Sequence, residues 1–283
     1  MSRPARQVLE ALTRRLASAG VPSPSADARW LLLHALGWSA ADLTLSTDRP
    51  LTAAQLRAVT VLADRRAARE PLQLIVGCTS FRGHTLVLRP GVFIPRPETE
   101  LLVDLVLAAA PEGGVVVETC AGSGAVACAV AAERSDLWVL AVDRDPAAVA
   151  LTRENADRLG VAVDARAGDL LDAVSGPLWG QVDVVTANPP YLATDEVETL
   201  EPEVADWDPP HALVAGPTGH EVSDALIASA PAHLRPGGWL LLELDERRVA
   251  EAASRARQRS MVDVGTRTDL TGRPRFVVAR RPR

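Results

Sequence analysis

Residues 188 to 191 read Asn-Pro-Pro-Tyr and directly follow the apolar run Val182-Asp183-Val184-Val185-Thr186-Ala187. Proline has no N–H and a fixed φ, so the strand must stop there in a stiff turn. Such a rim presents a side-chain amide oxygen, a backbone carbonyl that cannot re-enter a ladder, and a flat ring. That set suits the capture of a planar –NH₂ group, with two acceptors for its hydrogens and an aromatic face against its plane. Taken alone, the four residues fit equally well a strand-ending turn with an exposed tyrosine.

A second constellation lies upstream. The apolar run Val115–Thr119 leads into Cys120-Ala121-Gly122-Ser123-Gly124 and then a helical pattern. Glycines at such a junction let a ligand approach the start of the helix closely. Asp143 ends the next apolar run, where a carboxylate can accept both hydrogens of a ribose diol. Gly122-x-Gly124-x-x-Ala127 with Asp143 also satisfies the dinucleotide fingerprint, and a close helix–strand contact would call for the same glycines. Two features favour S-adenosylmethionine. Gly168-Asp169-Leu170 sets an acid and an apolar side chain where an adenine amino group and its ring face would lie. A hydride-transfer enzyme, the nicotinamide alternative, has no use for the Asn-Pro-Pro-Tyr grip.

These residues need a scaffold that brings strand ends together. Strands are expected at Val115–Thr119, Leu137–Asp143, Val161–Ala165, Val182–Ala187, Trp239–Leu244, Met261–Arg267 and Arg275–Ala279. Helices are expected between them, at Ala125–Glu133, Pro146–Leu159, Glu221–Leu234 and Glu246–Arg257. Strand–helix alternation gives a parallel, doubly wound sheet. The last two strands are too close in sequence for a crossover helix and must form an antiparallel hairpin. In such a sheet the carboxyl ends of the first four strands share one edge, so Gly122, Gly124, Asp143, Asp169 and Asn188 converge. Upstream, residues 5 to 70 read as helices, with Val8, Leu9, Leu12 and Leu16 at helical spacing and Thr52 as a cap. A short hairpin follows at Thr79–Val92. The expected domains are 1–73 (helical), 74–100 (hairpin linker) and 101–283 (α/β). Trp30 and Trp239 are read as core, and Trp207 as a substrate rim or loop anchor.

The bulk properties narrow the class. The chain has 283 residues, 47% of them apolar, enough for one large domain and a small one. All 30 basic residues are arginine, and the net charge of −6 opposes nonspecific nucleic-acid binding. The Arg65-Arg66-Arg69 and Arg255-Arg257-Arg259 clusters read as solvated helix faces. Cys78, Cys120 and Cys128 make no CxxC pair, and the five histidines lack ligand spacing. No signal core or membrane-length run is present, so a cytoplasmic protein is expected.

Taken together, the chain resembles the HemK family of protein-(glutamine-N5) methyltransferases. The similarity runs from the helical region through Gly77, Phe81 and Ile94-Pro95-Arg96-Pro97-Glu98-Thr99-Glu100. It continues through Asn188-Pro189-Pro190-Tyr191, Asp208-Pro209 with Ala212-Leu213, and Asp269-Leu270-x-Gly272-Arg273. The resemblance implies a class I methyltransferase (Rossmann-like) fold, with a mostly parallel sheet, a terminal antiparallel hairpin and a small N-terminal helical domain that docks the substrate. It implies methyl transfer from S-adenosylmethionine to a glutamine side-chain nitrogen in peptide-chain release factors, at a Gly-Gly-Gln motif. Glu118, Cys120, Ala121, Gly122, Ser123, Gly124, Asp143, Asp169, Leu170 and Asn188 would hold the cofactor. Asn188, Pro189, Pro190 and Tyr191 would hold the substrate, with Asn188, Pro189 and Tyr191 catalytic and no metal. Arg96 and Glu98 would brace the linker. The sequence departs from the family pattern at Cys120 (usually Gly), Glu118 (usually Asp), Thr218-Gly219-His220 (usually Asp-Gly-Leu) and Leu244-Asp245 (usually Ile-Gly). Two other readings use the same residues: an amino-group methyltransferase acting on a nucleic-acid base, small molecule or other protein, and a binding module without turnover.

Overall fold

The computed structural model describes residues 3–283. The chain forms two compact units. The first runs to Cys78 and also takes in Pro202–Trp207; the second comprises Thr79–Glu201 and Asp208–Arg283. The first unit therefore extends past residue 73 and recruits a distant segment that contains Trp207.

Helices Ala5–Ser18, Pro24–Leu36 and Ala53–Ala67 build the first unit. Ala5, Val8, Leu12 and Leu16 form one buried stripe. Thr52 and Gln55 cap each other reciprocally at the start of the third helix. Trp30 is not core: it is 58% exposed, because the buried stripe of its helix runs through Ala28, Leu31 and Leu32. The Arg65–Arg69 cluster is not a solvated face either. Arg66 is buried, and its guanidinium donates to Asp27 at 2.7 Å, to the Glu70 carbonyl at 3.1 Å and to Glu203 at 2.9 Å. Arg69 donates to the same Glu203 carboxylate at 2.7 Å. Burial works against the Glu203 charge, yet hydrogen bonds from Arg69 and Arg66 hold its pKa down at about 2.

The second unit carries a seven-stranded sheet. Its order is Val262–Thr268, Pro274–Arg280, Leu234–Glu243, Val182–Ala187, Val115–Thr119, Trp138–Asp143, Val163–Ala167. The last five are parallel, and Pro274–Arg280 runs antiparallel to both its neighbours. Alternate residues serve opposite faces. Val116, Val139, Val184 and Leu241 pack with helices Glu100–Ala109 and Ala125–Glu133, whereas Val117, Leu140, Val185 and Leu242 pack with Glu221–His233 and Glu246–Gln258. The strand expected at Val161–Ala165 starts later, at Val163. Gly160 ends the preceding helix in the left-handed region, and the Val161 N–H closes back on the Ala156 carbonyl, so Val161 belongs to the helix cap.

Candidate active site

The sheet register assembles the site. Thr119 pairs with Ala187 and with Val142, and Asp143 pairs with Ala167. Cys120, Asn188, Asp143 and Gly168 therefore leave the sheet along one edge. A cavity opens there, lined by Cys120, Gly122, Asp143, Asp169, Leu170, Asn188 and Pro190. Val92, Phe93, Arg144, Ala148, His211 and Glu221 complete much of the wall. Sequence reasoning missed these last six. Phe93 alone carried a signal, since it directly precedes the Ile94–Glu100 motif.

The glycine turn is held by backbone contacts. The Gly122 N–H donates to Asp143 Oδ2 at 2.8 Å, while Asp143 Oδ1 accepts from the Asp145 N–H at 2.9 Å. Thr152 donates to the Gly122 carbonyl at 3.2 Å. Asn155, buried, donates to the Ser123 carbonyl at 2.9 Å and exchanges hydrogen bonds with the backbone of Val87. Gly124 has φ +73°, and a Cβ there would meet Thr152 at 2.6 Å, so only glycine fits without displacement. Cys120 also has positive φ, 56°, which makes its replacement of glycine a strained one. Burial, with the Asp143 charge, pushes its thiol up to about 12, so it stays protonated.

Several sequence-predicted site residues stand outside the cavity wall. Ala121 and Ser123 are buried and shape the turn with Gly124. Glu118 points the other way, because alternate strand residues face opposite sides of the sheet. Its Oε2 accepts from the Ala127 N–H at 2.7 Å, at the start of helix Ala125–Glu133. Burial pushes this carboxyl up to about 8, against the pull of that N–H. Glu118 thus anchors the helix end. Pro189 is buried, and Tyr191 packs against the sheet core with the Arg275 guanidinium 5.7 Å from its ring centroid.

Around the rim, Asn188 donates through Nδ2 to Thr99 Oγ1 at 3.3 Å. Arg96 pairs with buried Asp208 and stacks 4.9 Å from the Phe93 ring centroid. Asp208 also accepts from the Ile94 N–H at 3.4 Å. Glu98 lies 3.5 Å from Arg273, whose turn is closed by Asp269. The departures at 218–220 and 245 have structural uses: Thr218 donates to Glu221, His220 Nε2 lies 3.0 Å from Glu251, and Asp245 caps helix Glu246–Gln258.

The donor set fits S-adenosylmethionine. Asp143 offers a fixed carboxylate for a diol, Asp169 an acceptor for an aromatic amine, and Val92, Phe93 and Leu170 apolar walls. No His/Cys/Asp/Glu group that could hold a metal occurs among the described residues. A sheet in this order, with a reversed terminal strand and this cavity at its switch point, defines an S-adenosylmethionine-dependent class I methyltransferase.

Comparison with known proteins agrees. Residues 7–77 match the PrmC N-terminal domain and residues 84–203 the methyltransferase small domain. A release factor glutamine methyltransferase of Mycolicibacterium smegmatis is 43% identical, over 98% of this chain and 97% of its own. Another, from Deinococcus radiodurans, is 41% identical over 98% of each. Among solved structures, a T. thermophilus 16S rRNA N2 G1207 methyltransferase in complex with AdoMet and guanosine shares the fold. Its TM-score is 0.53 at 20% identity, covering 72% of this chain and 49% of that one. The chain belongs to the release factor glutamine methyltransferase family.

Proposed function

We propose that this protein methylates the side-chain nitrogen of a glutamine in a peptide-chain release factor, with Asn188 and Pro189 as its catalytic groups and the helical unit as the docking module. The observation that carries the reading is the half-buried Asn188 carboxamide on the wall of the cavity shared by Cys120, Gly122, Asp143 and Asp169.

A glutamine amide nitrogen is a poor nucleophile because its lone pair is delocalised into the carbonyl. S-adenosylmethionine supplies an electrophilic methyl on a sulfonium. The Asn188 Oδ1 and the Pro189 carbonyl accept the two amide hydrogens, which aims the nitrogen into the cavity and stabilises the positive charge that grows on it. Positioning supplies much of the rate, and a well-aimed acceptor adds on the order of 3 kcal/mol. Tyr191 supports the rim from the core side, beneath Arg275. No base with a lowered pKa is needed before transfer, since the proton can leave afterwards.

The test is mass spectrometry of release factors incubated with the enzyme and isotopically labelled cofactor. The expected result is one labelled methyl on the glutamine of the Gly-Gly-Gln motif. Label appearing only on oligonucleotides would move the substrate to a nucleic-acid base, which the net charge of −6 disfavours.

A further inference from the structure

The turn that carries Asn188 runs into a clamp that the reaction as described does not use. Pro189 and Pro190 have no N–H, so at these positions the turn is held only by its carbonyls or by what flanks it. On its far side lies Leu192–Ala193, a two-residue strand paired in parallel with Val214–Gly216. The Ala193 N–H donates to Glu196 Oε2 at 2.8 Å. Two guanidiniums from the first turn of helix Glu246–Gln258 donate to the same carboxylate, Arg247 Nη1 to Oε1 at 2.8 Å and Arg248 Nη2 to Oε2 at 2.7 Å. Their other contacts differ. Arg247 is 56% exposed and turns back to Asp245 at 2.7 Å. Arg248 is 15% exposed, and its Nε donates to the Tyr191 carbonyl at 3.4 Å. Gly219, with φ +77°, leaves the room for that contact: a Cβ there would meet the Tyr191 carbonyl oxygen at 2.7 Å and Arg248 Nη2 at 2.8 Å.

We propose that Arg248, anchored by Glu196, is a positioning residue that sets the place of the Asn188–Tyr191 turn against the cavity. Stiffness transmits the effect. Each proline fixes its own φ and restricts the residue before it, so residues 188 to 190 have little freedom to absorb a shift at Tyr191. Movement of the Tyr191 carbonyl therefore travels back to the Pro189 carbonyl and the Asn188 amide. Those two acceptors must meet the glutamine NH₂ together, and an error of about 1 Å in such a placement costs about 10²-fold in rate. The Glu196 carboxylate holds the planar guanidinium in one orientation through charge-assisted bonds, which leaves Nε directed at the carbonyl. The hydrogen bonds of the glycine turn run through Asp143, Thr152 and Asn155, outside this clamp. The clamp thus acts on turnover, and cofactor affinity is set elsewhere.

This inference rests on the Asn188 reading above, so Asn188→Ala is measured beside the new variants. Arg248→Met keeps much of the apolar stem and removes both donors. It should lower kcat about 10–100-fold, with KM for the release factor and the calorimetric affinity for S-adenosylmethionine within about twofold of wild type. Arg247→Ala takes a guanidinium from the same carboxylate but leaves the Tyr191 carbonyl contact in place, so kcat should stay within about twofold. Glu196→Gln removes the charge that orients Arg248 and can still accept the Ala193 N–H, so kcat should fall at least about fivefold. Glu196→Gln combined with Arg248→Met should be no slower than Arg248→Met by itself, because the two residues act as one unit. If Arg248→Met does not fold, the contrast between Glu196→Gln and Arg247→Ala carries the test. Wild-type kcat in Arg248→Met or Glu196→Gln, an equal loss in Arg247→Ala, or a loss that appears in cofactor affinity overturns the proposal. Full turnover in Asn188→Ala brings down the reading of Asn188 and this inference with it, whereas loss in Asn188→Ala with none in Arg248→Met brings down the inference alone.

Discussion

The two halves of the cavity are held in different ways. On the glycine-turn side, fixed groups act on backbone: Asp143 takes the Gly122 N–H, and Thr152 and Asn155 take the carbonyls of Gly122 and Ser123. On the Asn188 side the contact runs between side chains, from Asn188 to Thr99. Backbone fixation gives a rigid cradle for the part of a ligand that must merely stay in place. A side-chain contact bears on the direction of one functional group. Damage to the first half should therefore appear in affinity, and damage to the second in turnover.

The largest expected effect is on the second half. Asn188→Ala should reduce kcat by roughly 10²–10³-fold, the usual loss on deleting one acceptor or donor aimed at developing charge, while calorimetry finds cofactor affinity nearly intact. A large loss of affinity instead would erase the distinction between the halves. Next, Asp143→Ala should weaken cofactor binding by about 10–100-fold, the range for hydrogen bonds to a charged group. Unchanged affinity by calorimetry would remove Asp143 from the cradle's ligand contacts.

A third effect separates the two halves through pH. Glu118 is raised from 4.5 to about 8 and Glu243 from 4.5 to about 7. A carboxyl raised on folding binds its proton more tightly in the native state. Its contribution is fully present below the unfolded pKa and is lost as pH rises through the folded value. The thermal midpoint should thus fall as pH rises from about 4.5 to about 8. Glu118→Gln should flatten that fall, because an amide oxygen can still accept the Ala127 N–H without a charge. A slope unchanged in this variant would mean that Glu118 does not titrate in the window. The smallest effect concerns Cys120. Glycine there relieves about 1–2 kcal/mol of left-handed strain and adds about 0.5–1 kcal/mol of unfolded-chain freedom. Cys120→Gly should therefore stabilise by roughly 0.5–1 kcal/mol in denaturant melts.

Much of this site was legible because period and punctuation determine where strands end. The runs 115–119 and 182–187 are mostly apolar and lie within three residues of a glycine or proline turn, and both strands form with those limits. The parallel order then forces their ends together. Glu118, a cofactor candidate on the family resemblance, has its side chain turned by strand alternation to the opposite face, where it accepts from the Ala127 N–H. Thr99 gave no signal as the partner of Asn188, because the contact joins residues 89 apart in sequence and no local pattern encodes it. Trp30 and the Arg66 cluster failed for a related reason: hydrophobicity and charge predict exposure on average, but helix phase and a partner from residue 203 decided the outcome.

The capture of Pro202–Trp207 by the helical unit bears on any attempt to take the protein apart. A gene cut after Cys78 would not yield two natural pieces. The shorter product would lack the glutamate that Arg66 and Arg69 share, leaving Asp27 as the carboxylate that buried Arg66 still meets. The longer product would carry an orphaned strap. A faithful dissection has to graft that strap back onto the small fragment, so separability here is a matter of topology before it is one of stability.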